Sequence, residues 1–186
     1  IHKDHLEFED TLQIPLPLSL LHRVPWLIVG LIGVIFAAAF INKFESVLNQ
    51  HLILAFFIPA IVYMSDALGT QHQTLLIRDL AVFGKEFKFK KYFLKQLLIG
   101  LIIGLLLGSL VYLIVSLFWN EGYIALVIGI SMFFTLLLSS LTSLLITYSF
   151  KLLKQDPALG GGPFATIVSD VASIIIYFII VSIMIK

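Results

Sequence analysis

No cysteine occurs among the 186 residues of this chain. Its absence removes disulfides, thiolate metal sites, iron–sulfur clusters and cysteine nucleophiles together. Charge is scarce as well: Asp, Glu, Lys and Arg make up 12% of the residues, against roughly 25% in an ordinary soluble domain. The 12 basic and 11 acidic side chains leave a formal net charge of +1, so no broad field draws the chain to nucleic acid. Apolar residues fill the space instead. At 60% hydrophobic, against roughly 45–50% for soluble domains, a water-soluble globule is excluded.

Long apolar stretches occupy residues 25–41, 52–80, 97–119, 123–150 and 163–185. A membrane-crossing helix needs about 17–25 such residues. The expected fold is therefore all-α and integral to the membrane, with five transmembrane helices. Between Lys95 and Lys151 the only charge is Glu121, in a short turn flanked by Trp119 and Tyr123, aromatics suited to the lipid–water boundary. The other breaks are the polar stretch 42–50, the basic run 85–91, and the segment 154–163, where prolines and glycines stop one helix and start the next. Residues 1–24, interrupted by Pro15 and Pro17, read as an N-terminal linker or interfacial segment, and residues 25–186 as the five-helix membrane domain.

Lysine and arginine predict the orientation. Arg23, Arg78, Lys85, Lys88, Lys90, Lys91, Lys95, Lys151 and Lys154 border one face, whereas the other has Lys43 and Lys186. The positive-inside bias then places the N-terminus in the cytoplasm and the C-terminus outside.

Two carboxylates interrupt the apolar runs, Asp66 in the second span and Asp170 in the fifth. An ionisable group at such depth costs at least ~2.5 kcal/mol on insertion scales, so it faces a wet cavity, an ion path or a partner helix. Thr166, Ser169, Asp170, Ser173 and Tyr177 fall on one helical stripe, and Asp66, Gly69, Thr70 and Gln73 form a matching stripe on the second span. With a rise of about 1.5 Å per residue in a core ~30 Å thick, both carboxylates lie about 20 Å from the outer surface, in one polar layer.

Other features have plainer readings. Gly100, Gly104 and Gly108 make two overlapping Gly-x-x-x-Gly steps that let another helix approach. Ser131, Thr135, Ser139, Ser140, Thr142, Ser143 and Thr147 make the fourth span rich in hydroxyls, mainly for hydrogen bonds between helices. His72 reads as a hydrogen-bonded neighbour rather than a ligand. The basic run, interleaved with Phe87 and Phe89, suits an anionic lipid surface.

Over about residues 22–185 the chain resembles the membrane domain of the MgtE-type magnesium transporter family. The resemblance rests on Arg23-Val24-Pro25-Trp26-Leu27, on Ile58-Pro59, and on Gly69-Thr70-Gln71 followed by Thr74 and Arg78. Asp156-Pro157-Ala158, Gly162-Pro163, Thr166, Asp170 and Tyr177 complete it. It implies a homodimer with a pore along the two-fold axis, lined chiefly by the second and fifth spans, with Asp170 binding magnesium through its water shell. It also implies soluble regulatory domains upstream of Ile1. Departures occur at Ser65-Asp66-Ala67, where the family commonly has Gly-Gly-Asn, and at Ile167 and Ser173, where Thr and Gly are expected.

The function expected from these residues is passage of a divalent cation, Mg²⁺ foremost with Ca²⁺ or Mn²⁺ as alternatives, through a multi-pass protein of the plasma membrane. The expected metal-binding set is Asp170, Thr166, Ser169, Ser173 and Asp66, with no catalytic residue and no enzymatic reaction. Mg²⁺ keeps several waters and binds through one or two carboxylates, and paired charges of this kind select cations. A cation-coupled exchanger is the nearest alternative, because membrane carboxylates also serve ion relays. An intramembrane aspartyl protease fits poorly: Asp170 lacks the Gly-x-Gly-Asp context, and Pro157-Ala158-Leu159 precedes it rather than following.

Overall fold

The computed structural model describes residues 15–153 and 162–185. These residues form α1 (Leu16–Asn42), α2 (Glu45–Gln50), α3 (Leu52–Phe83), a 3₁₀ turn at Gly84–Glu86, α4 (Phe89–Trp119), α5 (Gly122–Leu152) and α6 (Gly162–Met184), with no strand among them. Five helices, α1, α3, α4, α5 and α6, are long and apolar enough to cross a membrane.

Two helices begin earlier than the hydropathy pattern implies. α1 starts at Leu16 with Pro15 as its N-cap and Pro17 in its first turn, and it continues through Pro25. Proline is tolerated in a first turn because the amide it lacks has no helical partner there. Only residues 1–14 of the expected N-terminal segment lie outside the described residues. α4 starts at Phe89, so Lys90, Lys91 and Lys95 sit on its first turns and not in a loop. Asp156-Pro157-Ala158, Lys154 and Lys186 also lie outside the described residues.

α5 is the most enclosed of the five long helices. It packs on α4, α3 and α6, while α1 docks chiefly on α6. Apolar packing is concentrated toward the Glu121 end, where Leu54, Ile61, Ile128, Met132, Phe178 and Val181 are fully enclosed. Phe44, just before α2, stacks on Phe178 with ring centroids 4.6 Å apart. Tyr123, at the start of α5, donates to the Met184 carbonyl at the end of α6, which fixes these two ends at one level. At the Lys-rich end Phe89 stacks on Tyr148 at 3.6 Å between centroids, and the Lys151 ammonium lies over both Phe87 and Tyr148.

The glycine stripe of α4 packs on α5 as expected. A Cβ placed on Gly108 would lie 2.7 Å from the Gly129 carbonyl oxygen, and one on Gly129 would lie 2.8 Å from that of Gly108. Only hydrogen fits between these backbones, which is the small-residue contact that membrane helices use in place of a hydrophobic driving force.

The hydroxyls of α5 mostly do something other than expected. Ser131, Thr135, Ser140 and Thr142 donate to carbonyls of their own helix, at Val127, Met132, Leu136 and Leu138. An apolar environment leaves a hydroxyl few acceptors, and the carbonyl one turn back is always within reach. Ser139 is the hydroxyl of this set seen bonding to other helices.

Candidate functional site

Asp66 and Asp170 each follow a serine, Ser65 on α3 and Ser169 on α6. The two helices run in opposite directions, yet both Ser-Asp steps come to one level, because both serines bond to Ser139 of α5. The Ser139 hydroxyl donates to the Ser65 carbonyl at 2.6 Å and accepts from the Ser169 hydroxyl at 3.0 Å. The following residue on each helix is turned by about 100° from its serine. Asp66 and Asp170 are accordingly half-buried rather than enclosed.

The Asp66 carboxylate faces the Thr70 hydroxyl one turn along α3, at 3.5 Å, the outer edge of hydrogen-bond length. Asp170 Oδ1 is shielded from the surface and has no hydrogen-bond partner among the described residues. Thr166, one turn before Asp170, is also half-buried. Two acidic side chains and two threonines thus share one region of α3 and α6. Among the described residues no three His, Asp or Glu side chains gather where one ion could touch them all.

The structure divides the stripe that the sequence had grouped around Asp170. Ser169 and Ser173 are buried to 2% and 0% exposure and turn into the packing with α3 and α5, away from the half-buried side of Asp170. Ser173 donates to the Ser169 carbonyl at 2.7 Å and its oxygen meets the Ser65 hydroxyl at 2.6 Å. Tyr177 is likewise enclosed, its hydroxyl donating to the Leu54 carbonyl at 2.8 Å. The physical reason is geometric: an i, i+3, i+4, i+7 stripe is wide enough to touch two neighbours, and its edges face different surroundings. Gly69 of α3 sits where a Cβ would lie 2.7 Å from both Ser139 Oγ and Ser143 Oγ, so its lack of a side chain admits the α5 hydroxyls.

His72 also departs from expectation. It is 2% exposed and neither ring nitrogen has a partner among the described residues. It lies on the α4-facing side of α3, near Gly100 and Ser140. The residue that sequence reasoning did not single out is Ser139, which appeared as one of seven hydroxyls in α5.

A family described as MgtE, divalent cation transporter, matches residues 58–180, a stretch that contains both carboxylates and all of the serines above. The chain belongs to the MgtE family. Among its relatives, a protein named magnesium transporter MgtE from Bacillus subtilis is 32% identical over 160 residues, covering 84% of this chain and 35% of that protein. One of the same name from Enterococcus faecalis is 31% identical over 161 residues, covering 86% and 36%. A third, from Thermus thermophilus, is 30% identical over 159 residues, covering 84% and 35%. The chain spans about a third of the length of these MgtE relatives.

Proposed function

We propose that this chain is the ion-passing membrane domain of a magnesium transporter of the plasma membrane. It acts as a two-fold homodimer in which Asp170 of each subunit holds the ion at the shared axis. The reading is carried by the common level of Asp66 and Asp170, whose preceding serines both bond to Ser139, with an oxygen of Asp170 left without a protein partner among the described residues. The names of the relatives favour Mg²⁺ as the cargo.

Among the described residues a single subunit supplies two carboxylates here and no third, too few to strip the water from Mg²⁺. A hydrated ion needs no more. Two copies of Asp170 attract it, and Thr166, with Asp66 and Thr70 behind, offers oxygens to its water shell. Binding through water is weak enough to allow release, which flow requires. The Lys-rich ends of α4 and α5 face the cytoplasm, where Lys88, Lys90 and Lys91 meet anionic headgroups, and the C-terminal end of α6 faces outward.

The test is divalent-ion flux into proteoliposomes. Asp170→Asn keeps the shape and removes the charge, so Mg²⁺ uptake should fall at least tenfold while the dimer still forms. Parental uptake by a well-folded Asp170→Asn protein, or transport by a strict monomer, sinks the reading. Uptake that cannot exceed the imposed gradient separates a channel from a coupled exchanger.

A further inference from the structure

The four buried serines behind the carboxylates form a closed ring of hydrogen bonds. Each hydroxyl has one proton to give, and the contacts use all four. Ser139 donates to the Ser65 carbonyl, Ser169 donates to Ser139, and Ser173 donates to the Ser169 carbonyl. The Ser173 proton is then spent, so in the 2.6 Å contact between Ser65 and Ser173 it is Ser65 that donates. Every donor has an acceptor, and the ring passes through α3, α6 and α5 before returning to α3.

α5 contributes no acid to this region, since Glu121 is its N-cap and the only acidic residue between Lys95 and Lys151. Through Ser139 it nevertheless holds the two helices that do. Ser65 and Ser169 are the residues immediately before Asp66 and Asp170, so a bond to each serine sets the height and rotation of the aspartate beside it. Ser139 is fully buried, and Gly69 leaves the gap it occupies.

Resting on the reading of Asp170 as the ion carboxylate, we infer that Ser139 is a positioning residue for ion selection. The serine ring closed through it sets how Asp170 stands relative to Asp66 behind it, and hence how the water shell of the ion at Asp170 is held. A buried hydroxyl network with every member satisfied is rigid. Without Ser139 the Ser169 hydroxyl turns back to a carbonyl of its own helix, and α6 loses its polar tie to α5 at the level of Asp170.

The experiment compares full-length parent, Ser139→Ala, Ser169→Ala, the double variant and Ser140→Ala in proteoliposomes, with concentration dependence for Mg²⁺, Ca²⁺ and Mn²⁺. Ser139→Ala should change the half-saturating Mg²⁺ concentration, or the preference for Mg²⁺ over Ca²⁺, by about fivefold or more, the factor that one hydrogen bond represents. Ser169→Ala should do the same. The double variant should add little to either, as expected for residues in one network. Ser140→Ala, whose hydroxyl bonds within its own helix, should leave both quantities unchanged.

A mere packing role for Ser139 would lower the melting temperature or the amount of folded protein, but not the ion preference per folded molecule. Concentration dependence and preference within about twofold of the parent in folded Ser139→Ala and Ser169→Ala, with Asp170→Asn inactive, would overturn the inference and leave the ion-site reading standing; a fivefold effect is what one hydrogen bond should give. An equal shift in Ser140→Ala would also overturn it. Parental flux in Asp170→Asn removes the ion site and this role together.

Discussion

The hydroxyls of Ser65 and Ser173 lie 2.6 Å apart although 108 residues separate them in the chain. Both are wholly enclosed, and each lies within one turn of an aspartate that is not. α3 and α6 therefore meet through small hydroxyls on one side and present carboxylates on another. A serine pair allows a closer approach than larger side chains would, while giving each polar oxygen a partner inside an apolar body.

Asp66 supplies the first prediction. It is half-buried, level with Asp170, and backed by Thr70. Asp66→Asn should reduce Mg²⁺ flux less than Asp170→Asn does, and should move the preference among Mg²⁺, Ca²⁺ and Mn²⁺. Competition uptake assays check this. Complete loss in Asp66→Asn with normal flux in Asp170→Asn would move the ion site to α3.

Orientation gives the second. The chain has no cysteine, so single cysteines introduced at Lys88 and Glu121, both exposed, are clean reporters. A membrane-impermeant thiol reagent should label position 121 from outside the cell and position 88 only after permeabilisation. Labelling of both positions from one side contradicts the arrangement.

The third concerns the closest approach of α4 and α5. Gly108→Ala puts a methyl against the Gly129 carbonyl, and forcing an extra carbon into a close-packed contact costs about 1–3 kcal/mol. Thermal denaturation in detergent should show a clear loss of stability. Gly122→Ala, where nothing lies within 4 Å of the added carbon, should be close to neutral.

Tyr177 gives the fourth. Tyr177→Phe removes the hydrogen bond to the Leu54 carbonyl, worth about 1 kcal/mol net. The melting temperature should fall. Because the ring is enclosed and its hydroxyl points to backbone, the ion preference per folded molecule should not change.

The five spans were legible in the sequence because an apolar run of about 20 residues is long enough to cross a bilayer and too long for most buried helices of a soluble core. Their ends were less so. Lys90, Lys91 and Lys95 read as loop by charge, yet a helix continues into the interface when long basic side chains carry their charge outward. Asp66 and Asp170 stood out because ionisable groups are rare in such runs, and the depth estimate put them near one level. What the pattern did not reveal is which edge of each stripe meets a neighbour. Ser169 and Asp170 are adjacent and share a stripe, but rotation about α6 sends one into the packing and leaves the other half-exposed. Ser139 was hidden for the same reason: seven hydroxyls look alike until it is known which carbonyls each can reach.

The docking of α1 on α6 also bears on how the protein is made. α1 is strongly hydrophobic, so the translocon can release it into lipid without help from later segments. Its main packing surface, however, belongs to the last of the five spans. During synthesis α1 meets its main packing partner only once α6 has entered the bilayer. Final assembly of the bundle therefore waits on the insertion of α6, and a chain shortened before α6 would leave both α1 and the clasp around Ser139 without their partner.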